Sequence, residues 1–259
     1  MIRKLDLNKG GYRGERIKIE RIVRRILVSA ISQGWQVDSV STSNAISLHA
    51  LSRGGEIASA PRVYISAGIH GDEPAGPCAL AELLEEERLP REFGYWVCPC
   101  LNPTGFGLST RENADGVDLN REYHAPSSDE VRSHIAWLEN QPPFDVAFCL
   151  HEDWESNGFY LYELNLGVEE SLAQGMIDAV SKVCPVDLAP EIEGRAAVGG
   201  IIRPNPDPLT RPQWPEAFYL IQHKTRRSYT LEAPSDFPLP VRVAAIKAAM
   251  IAALAMLRR

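Results

Sequence analysis

A histidine and a glutamate three residues apart, His70 and Glu73, follow a run of apolar residues that is typical of a buried strand. At the exit of a strand, two side chains with this spacing can turn toward one point. Zinc binds imidazole nitrogen and carboxylate oxygen, and catalytic zinc sites commonly use three protein ligands and keep one position open to water. His151, which ends a second apolar run at residues 146–150, is the candidate for the third ligand. These residues predict one zinc ion per chain.

Each of these features has a plainer interpretation when it is taken alone. The His-Glu pair is compatible with a strand-end turn that carries solvated side chains, and the strand-end histidine with a hydrogen-bonded core residue. Two further features favour a catalytic site. A long loop rich in Gly, Asn and Asp runs from Asn102 to the motif DLNR at residues 118–121, and loops of this length are usually functional. Glu232 then follows a short predicted strand late in the chain.

In this order and spacing, the set resembles the M14 family of zinc carboxypeptidases. That family combines an HxxE motif, an Asn-Pro loop with a following arginine, a DLNR-like motif, a strand-end histidine and a late strand-end glutamate. The resemblance covers about residues 62–235, which is most of the chain. The same elements are also similar to the succinylglutamate desuccinylase and aspartoacylase group.

The resemblance implies which residues hold the metal. His70, Glu73 and His151 match the zinc ligands, and two histidines with one glutamate are the ligand set of carboxypeptidase A. Asp118 matches an acidic residue that orients a ligand histidine, a role that is common around metal-bound imidazoles.

The resemblance also implies four roles in catalysis and substrate binding. Glu232 matches the general base, and Arg111 matches an arginine that helps to stabilise the oxyanion. Asn120 and Arg121 match the pair that holds the terminal carboxylate of the substrate. An arginine at this place can bind a carboxylate through two parallel hydrogen bonds, which fixes the scissile bond in position.

The segment before Glu232 departs from the family. Peptidases of the family use a tyrosine on a loop at this place, whereas residues 194–222 contain only Tyr219, whose neighbours favour a core aromatic residue. Arg195, Arg203 and Arg211 lie in the same segment. They are interpreted as surface residues or, alternatively, as receptors for an acidic side chain of the substrate.

The candidate residues all lie just past predicted strands, and helical patterns separate those strands. The strands cover residues 62–69, 95–101, 145–150 and 228–231, and they are followed by His70, Asn102, His151 and Glu232. Strands that alternate with helices predict an α/β fold, here a single domain over residues 1–259 with a mixed, mainly parallel twisted sheet and helices on both faces. Sites in such sheets gather at the carboxyl ends of strands.

Charge and composition restrict the partners. The chain has 259 residues, of which 44% are apolar and 24% charged, values that are ordinary for a globular protein. The net charge is −7, whereas binding to nucleic acid or to an anionic membrane needs a basic face. We therefore expect a small substrate with a free carboxylate, either a peptide or an N-acyl amino acid, and neither nucleic acid nor membrane as a partner.

The cysteines and the N-terminus bear on the compartment. Five cysteines without a CxxC motif predict small core residues in a reducing environment. The first twenty residues lack the apolar segment of a signal peptide, and the apolar run at residues 250–257 is too short to cross a bilayer. The sequence predicts a cytoplasmic protein.

Three functions fit these residues. The first is a zinc carboxypeptidase that cleaves the C-terminal amide bond of a small peptide. The second is a deacylase of N-acyl amino acids. Such deacylases usually carry a further C-terminal β domain, whereas a single predicted helix follows Glu232 here, so we expect the peptidase. The third is a catalytically silent binding protein. The substrate side chain and the oligomeric state stay open.

Overall fold

The fold is built on one ten-stranded sheet, seen in a computed structural model that describes residues 2–41, 47–54, 59–167 and 169–258. Its strands are β1 Gln36–Ser41, β2 Ser47–Arg53, β3 Arg62–Ala67, β4 Gly94–Cys98, β5 Val146–Asp153, β6 Tyr160–Asn165, β7 Glu191–Ile192, β8 Arg195–Val198, β9 Ile201–Ile202 and β10 Arg227–Pro234. In space their order is β1-β2-β4-β3-β5-β10-β6-β9-β8-β7.

Seven α-helices surround the sheet in the described part of the chain. They are α1 Ile19–Ser32, α2 Ala75–Glu85, α3 Pro103–Leu108, α4 Asp129–Glu139, α5 Ala173–Val180, α6 Glu216–His223 and α7 Leu239–Leu257. Two short 3₁₀ helices occupy Leu119–Arg121 and Pro208–Thr210. One apolar core joins α1, α2, α5 and α7 to one face of the sheet, and a second joins α4 and α6 to the other. The predicted α/β class is therefore confirmed.

The four middle strands of the sheet run parallel, and antiparallel pairs flank them on both sides. β4, β3, β5 and β10 run parallel to one another, whereas β6 pairs antiparallel with β10, and β1 and β2 form an antiparallel edge. In the β10–β5 register, Glu232 lies directly beside His151. Because parallel strands end at one edge of a sheet, this register brings two candidate residues together.

Helix α7 is apolar along most of its length. It has 19 residues, with a mean hydropathy of 1.7 in its most apolar window, so by length and composition it is long enough to cross a membrane, although Arg242 and Lys247 divide its apolar residues into short runs. Of its apolar window, 44% is buried in the protein, where the helix packs against α2 and α5. A core helix of a globular protein has the same properties, so the helix is weak evidence for a membrane span.

Two segments predicted as loops contain regular structure. Residues 102–123 include α3 and a 3₁₀ helix, and residues 194–215 include β8, β9 and the second 3₁₀ helix. β8 and β9 form a tight hairpin whose turn is Gly199-Gly200, both with positive φ. Strands of two and four residues are too short to show the alternation on which a sequence-based prediction depends.

A chain of hydrogen bonds is buried between the sheet and α4. His134 lies between two tyrosine hydroxyls, with Nε2 2.8 Å from Tyr64 and Nδ1 2.7 Å from Tyr123. Tyr64 donates its own proton to Glu216, at 2.7 Å, so its oxygen must accept from Nε2–H of the histidine. Nδ1 then accepts from Tyr123. The network therefore uses the neutral imidazole in one tautomer.

This network predicts a loss of stability in acid. Burial lowers the pKa of His134 to about 3, whereas the unfolded chain takes up the proton near 6.5. Because only the unfolded state binds the proton between these values, the free energy of unfolding falls as the pH drops from 6.5 toward 3. When the pH is lowered from about 7 to about 4.5, the titration of His134 should reduce the free energy of unfolding by about 2 to 3 kcal/mol.

Urea unfolding of the natural protein and of His134→Gln at both pH values measures this effect. Glutamine lacks the titration, so the variant should lose less stability on acidification, whatever its stability at neutral pH. An equal loss in the two proteins would contradict the assignment.

A second buried group joins three distant parts of the chain. Arg242, on α7, is fully buried and forms ion pairs with Glu152 at the end of β5 and with Glu15 in the N-terminal segment. Glu152 also accepts hydrogen bonds from the backbone N–H of Ala75 at 2.5 Å and from the hydroxyl of Ser235 at 3.2 Å. The network thereby fixes the end of β5 against the start of α2.

Candidate metal centre and active site

Three buried side chains converge at the carboxyl end of the central strands. His70 and Glu73 lie in the turn between β3 and α2, and His151 lies on β5. Glu73 Oε1 is 2.5 Å from Nδ1 of His70, and its Oε2 is 2.9 Å from Nδ1 of His151. One ligand atom from each residue lies within 4.8 Å of the others, which is close enough for all three to bind one ion.

The turn that carries two of these residues depends on a glycine. A Cβ atom on Gly71 would lie 1.9 Å from the backbone carbon of Gly105 in α3, so only glycine allows α3 to approach. Glu73 is then held by the backbone N–H of Glu152, which donates to Oε2 at 3.1 Å. The position of the carboxylate is therefore set by the main chain as well as by the two imidazoles.

Asp118 fixes the orientation of one ligand histidine. Its Oδ1 is 3.2 Å from Nε2 of His70, and its Oδ2 accepts from Nε of Arg111 at 2.9 Å. A carboxylate on Nε2 favours the tautomer that leaves the Nδ1 lone pair available to a metal. Asp118 also caps the 3₁₀ helix Leu119–Arg121 by accepting from the N–H of Asn120 at 3.0 Å.

The electrostatics of the three residues suit a divalent cation. Burial raises the pKa of Glu73, but both imidazoles oppose this and hold it well below its usual range, so the carboxylate is charged. Burial lowers the pKa of His151 despite the neighbouring carboxylate. For His70, by contrast, Glu73 and Asp118 outweigh burial and raise the pKa. Two imidazoles and one carboxylate, buried and convergent, are donors that zinc accepts.

Glu232 faces the cavity beside these residues. It lies on β10, paired with His151 on one side and with Tyr160 on the other, and it is partly exposed. Burial raises the pKa of its carboxyl group well above the usual value, and Glu73 and Asp153 raise it further, while Arg111 lowers it. A carboxylate in such surroundings binds a proton more readily than one in water.

Arg111 lies next to the convergent ligands. Its Nη1 is 3.7 Å from Oε1 of Glu73 and 3.4 Å from Nδ1 of His70. The ion pair with Asp118 orients the guanidinium, which is about one-third exposed. An oriented cation at this distance can stabilise negative charge that develops on a bound substrate.

Asn120 and Arg121 line the same cavity. The side-chain oxygen of Asn120 accepts from the backbone N–H of Glu216 at 2.8 Å, so its NH₂ group is the donor that remains for the cavity. Arg121 is exposed, and its Nη1 donates to the backbone oxygen of Asn120 at 2.9 Å.

The cavity that joins these residues has a volume of about 700 Å³. Its floor comes from alternate residues of neighbouring strands, including Cys149 on β5, Thr230 on β10 and Tyr162 on β6. Residues between 193 and 213 contribute to its walls. Asp118 contacts His70 without lining the cavity. Glu232 shares this cavity with six other residues predicted from the sequence: His70, Glu73, Arg111, Asn120, Arg121 and His151.

Two tyrosines of β6 reach the cavity although the sequence did not single them out. Tyr160 and Tyr162 both line it, and the hydroxyl of Tyr160 donates to Asp153 at 3.1 Å. Tyr219, by contrast, is buried against Tyr123, as expected for a core aromatic residue. Tyr160 and Tyr162 reach the cavity because β6 lies antiparallel beside β10, a pairing of distant segments that no local pattern in the sequence indicates.

The three arginines of the late segment have different surroundings. Arg203 is paired with the buried Glu163, at 2.8 Å, so its charge is compensated. Arg195 and Arg211 line the cavity instead. The guanidinium carbon of Arg211 lies 4.4 Å from the centre of the Phe218 ring, so the arginine makes a cation–π contact with this ring.

Sequence comparisons match part of the chain. Residues 59–164 match the catalytic domain of the succinylglutamate desuccinylase/aspartoacylase family. Carboxypeptidase SOL1 of Arabidopsis thaliana is 33% identical over 109 residues, 34% of this chain and 22% of that protein. Murein peptide amidase A of Escherichia coli K12 is 38% identical over 86 residues, 32% of this chain and 34% of that protein. The chain thus spans about a fifth to a third of the length of these relatives.

Structural comparisons cover nearly the whole chain. A structure from Shewanella amazonensis, provisionally described as a metallopeptidase, superposes with a TM-score of 0.81, covering 95% of this chain and 98% of that one at 24% identity. A metallo-carboxypeptidase from Burkholderia cenocepacia gives a TM-score of 0.72 over 94% of this chain and 69% of that one, at 19% identity. At this identity the match shows the fold, which is carboxypeptidase-like, and the resemblance noted from the sequence is confirmed.

Proposed function

We propose that this protein is a zinc-dependent hydrolase that removes the C-terminal residue of a small peptide, with Glu232 as the general base. The observation that carries the proposal is the layout of one cavity. Three convergent metal-binding side chains, a carboxyl group of raised pKa and a group of cationic and amide donors all face the same 700 Å³ space. Metal-assisted hydrolysis of an amide next to a carboxylate needs each of these parts.

His70, Glu73 and His151 would hold the ion. When bound, zinc polarises an amide carbonyl and lowers the pKa of a coordinated water molecule to about 7. Glu232 accepts the proton of the attacking water and returns it to the nitrogen of the leaving amino acid. Its raised pKa suits both transfers, because a carboxyl group that binds a proton more readily is the stronger base.

The arginines have separate tasks in this proposal. Arg111, held by Asp118, donates to the oxygen that gains negative charge during attack. Arg121 and the NH₂ group of Asn120 bind the terminal carboxylate, so that the scissile amide lies between them and the metal-binding residues. The relatives named as a carboxypeptidase and a peptide amidase support a peptide substrate.

The alternative is a deacylase of N-acyl amino acids. The family match over residues 59–164 favours it, because that family is named for two such enzymes. The volume of the cavity favours the peptide, since about 300 to 1,000 Å³ accommodates ligands well above the size of one amino acid.

A substrate panel separates the two functions. The zinc-supplemented protein would be incubated with N-blocked dipeptides that carry a free carboxylate, with the same peptides as C-terminal amides, and with N-acyl amino acids. Products would be identified by mass spectrometry. We expect cleavage of the free acids, little cleavage of the amides, loss of activity on chelation and recovery on adding zinc.

Each other outcome has a defined meaning. Cleavage of N-acyl amino acids alone would favour the deacylase, and equal cleavage of acids and amides would contradict the carboxylate-binding role of Arg121. Metal binding without turnover of any compound would favour a silent binding protein. Arg121→Gln should lower kcat/KM for the free acids and leave the amides nearly unchanged.

A further inference from the structure

A second cationic surface lies in the cavity beside Arg121. It is formed by Arg195 and Arg211, and both line the cavity. Arg121 lines it as well, and burial together with the charges of Arg195 and Arg121 lowers the pKa of Arg211. Three neighbouring cations repel, so a ligand that brings negative charge between them is favoured.

Among the residues that the structure describes, none of these three arginines forms an ion pair within 4 Å, although the charge of Arg121 acts on Asp118 and Glu193 lines the same cavity. Arg121 donates to a backbone oxygen, and Arg211 lies on the ring of Phe218. Arg203 in the same segment is different, because its Nε lies 2.8 Å from Oε2 of Glu163, which compensates its charge. Arg195 and Arg211 therefore lack a close ion-pair partner in the cavity where the proposed substrate would bind.

The floor below these arginines recedes from the proposed catalytic carboxylate. Glu232, Thr230 and Ser228 alternate along β10 and all line the cavity, each step adding about 7 Å. Tyr162, which contributes to the electrostatics of Arg211, is the register partner of Thr230. Arg211 therefore lies near the part of the floor that Tyr162 and Thr230 form.

A buried hydroxyl in this floor lacks a partner. Ser228 is 1% exposed, lines the cavity, and its Oγ has no hydrogen-bond partner among the described residues. Such a group is costly unless a ligand or water completes it. The Ser228 hydroxyl can donate a hydrogen bond as well as accept one, whereas the guanidinium groups can only donate, and their charge favours an anionic acceptor.

From these groups we infer that the pocket formed by Arg195, Arg211, Thr230 and Ser228 binds a carboxylate on the side chain of the released residue. The preferred substrate then ends in a dicarboxylic amino acid such as glutamate or aspartate. The inference rests on the proposed function, since it places this residue after the scissile bond. The like charges exclude a C-terminal lysine or arginine, and an apolar side chain would leave the Ser228 hydroxyl unpaired.

The test compares peptides that differ in one group. N-blocked dipeptides ending in Glu, Gln, Leu and Lys would be hydrolysed by the zinc-loaded protein, and kcat/KM measured for each. Glutamine has the shape of glutamate without its charge, so the Glu-to-Gln ratio isolates the carboxylate. We expect a ratio of at least about 10, the value of one charge-assisted hydrogen bond.

Variants assign the preference to the pocket. Arg211→Gln should reduce the ratio to below about 3 by slowing the Glu peptide, with the Gln peptide changed little, and Arg195→Gln should reduce it in the same direction. Arg226→Gln, an exposed arginine outside the cavity, is the matched control and should keep the ratio. Arg195→Gln keeps the test decisive if Arg211→Gln folds poorly.

Two results would overturn the inference: equal kcat/KM for the Glu and Gln peptides, or a ratio that survives both substitutions. Failure of the proposed function gives a different result, because then none of the four peptides is cleaved. In that case calorimetric binding of free glutamate against glutamine still tests the pocket. Tighter binding of glutamate that is lost in Arg211→Gln supports the inference, and equal binding overturns it.

Discussion

Glu232→Gln is expected to lower kcat by about 10³, within the range of 10² to 10⁴ that a general base contributes. Glutamine has nearly the same shape as glutamate but does not accept a proton from water at neutral pH. The carboxyl group lies beside His151 in the β-sheet register, and burial together with Glu73 and Asp153 raises its pKa. Loss of this one group should remove proton transfer without removing the metal site.

Metal content distinguishes this effect from damage to the centre. Glu232→Gln should keep one zinc ion per chain by elemental analysis, whereas His151→Ala should lose it, since the buried site then has only two ligands. Asp153→Asn is a matched control, because burial also raises the pKa of this neighbouring carboxyl, to about 6. The kcat of Asp153→Asn should stay within about tenfold of the value for the natural protein, which is a smaller loss than the removal of a general base causes. Near-normal turnover by Glu232→Gln would reject the mechanism.

Arg242→Met is expected to lower the free energy of unfolding by about 3 to 5 kcal/mol, the cost of leaving one partner of a buried ion pair uncompensated. Arg242 and Glu152 both lack exposed side-chain surface, and Glu15 is the second partner of the arginine. Methionine fills a similar volume, so the loss comes mainly from the stranded carboxylate rather than from a void. Urea unfolding at neutral pH measures the difference.

Lys247→Met on the same helix provides the control. Lys247 pairs with Glu82 and Glu86, which are both exposed, so its loss should cost less than about 1 kcal/mol. Adding Glu152→Met to Arg242→Met should restore part of the stability, because two apolar groups replace an incomplete pair. Equal losses for Arg242→Met and Lys247→Met would show that the buried pair has no special role.

The sequence predicted the parts of the site that lie at strand ends. His70, His151 and Glu232 each follow or end a run of apolar residues, and parallel strands bring such ends to one edge. The motif spacing of His70 and Glu73 is local, so a short window of sequence contains it. For these residues periodicity and motif were sufficient to predict proximity, and the structure places them in one cavity.

Other features depended on contacts between distant segments. Arg203 and Arg211 look alike in the sequence, and only the position of Glu163 on β6 shows that the first is compensated. The burial of Arg242 is also a tertiary property, since an arginine in an apolar helix is more often exposed. Tyr160 reaches the cavity because β6 turns antiparallel beside β10, a register that no local pattern encodes.

The strand order also bears on biosynthesis. β10 is the last strand along the chain, yet it lies between β5 and β6, which follow each other in the sequence. During translation, the three proposed metal ligands therefore leave the ribosome before Glu232, and β5 and β6 cannot be joined through β10 until that strand inserts. In the proposed mechanism the ligands can thus come together before the base is in place, so hydrolysis requires the completed sheet. Late, long-range strand pairing of this kind is slow, and the unpaired edges of β5 and β6 favour aggregation until β10 inserts.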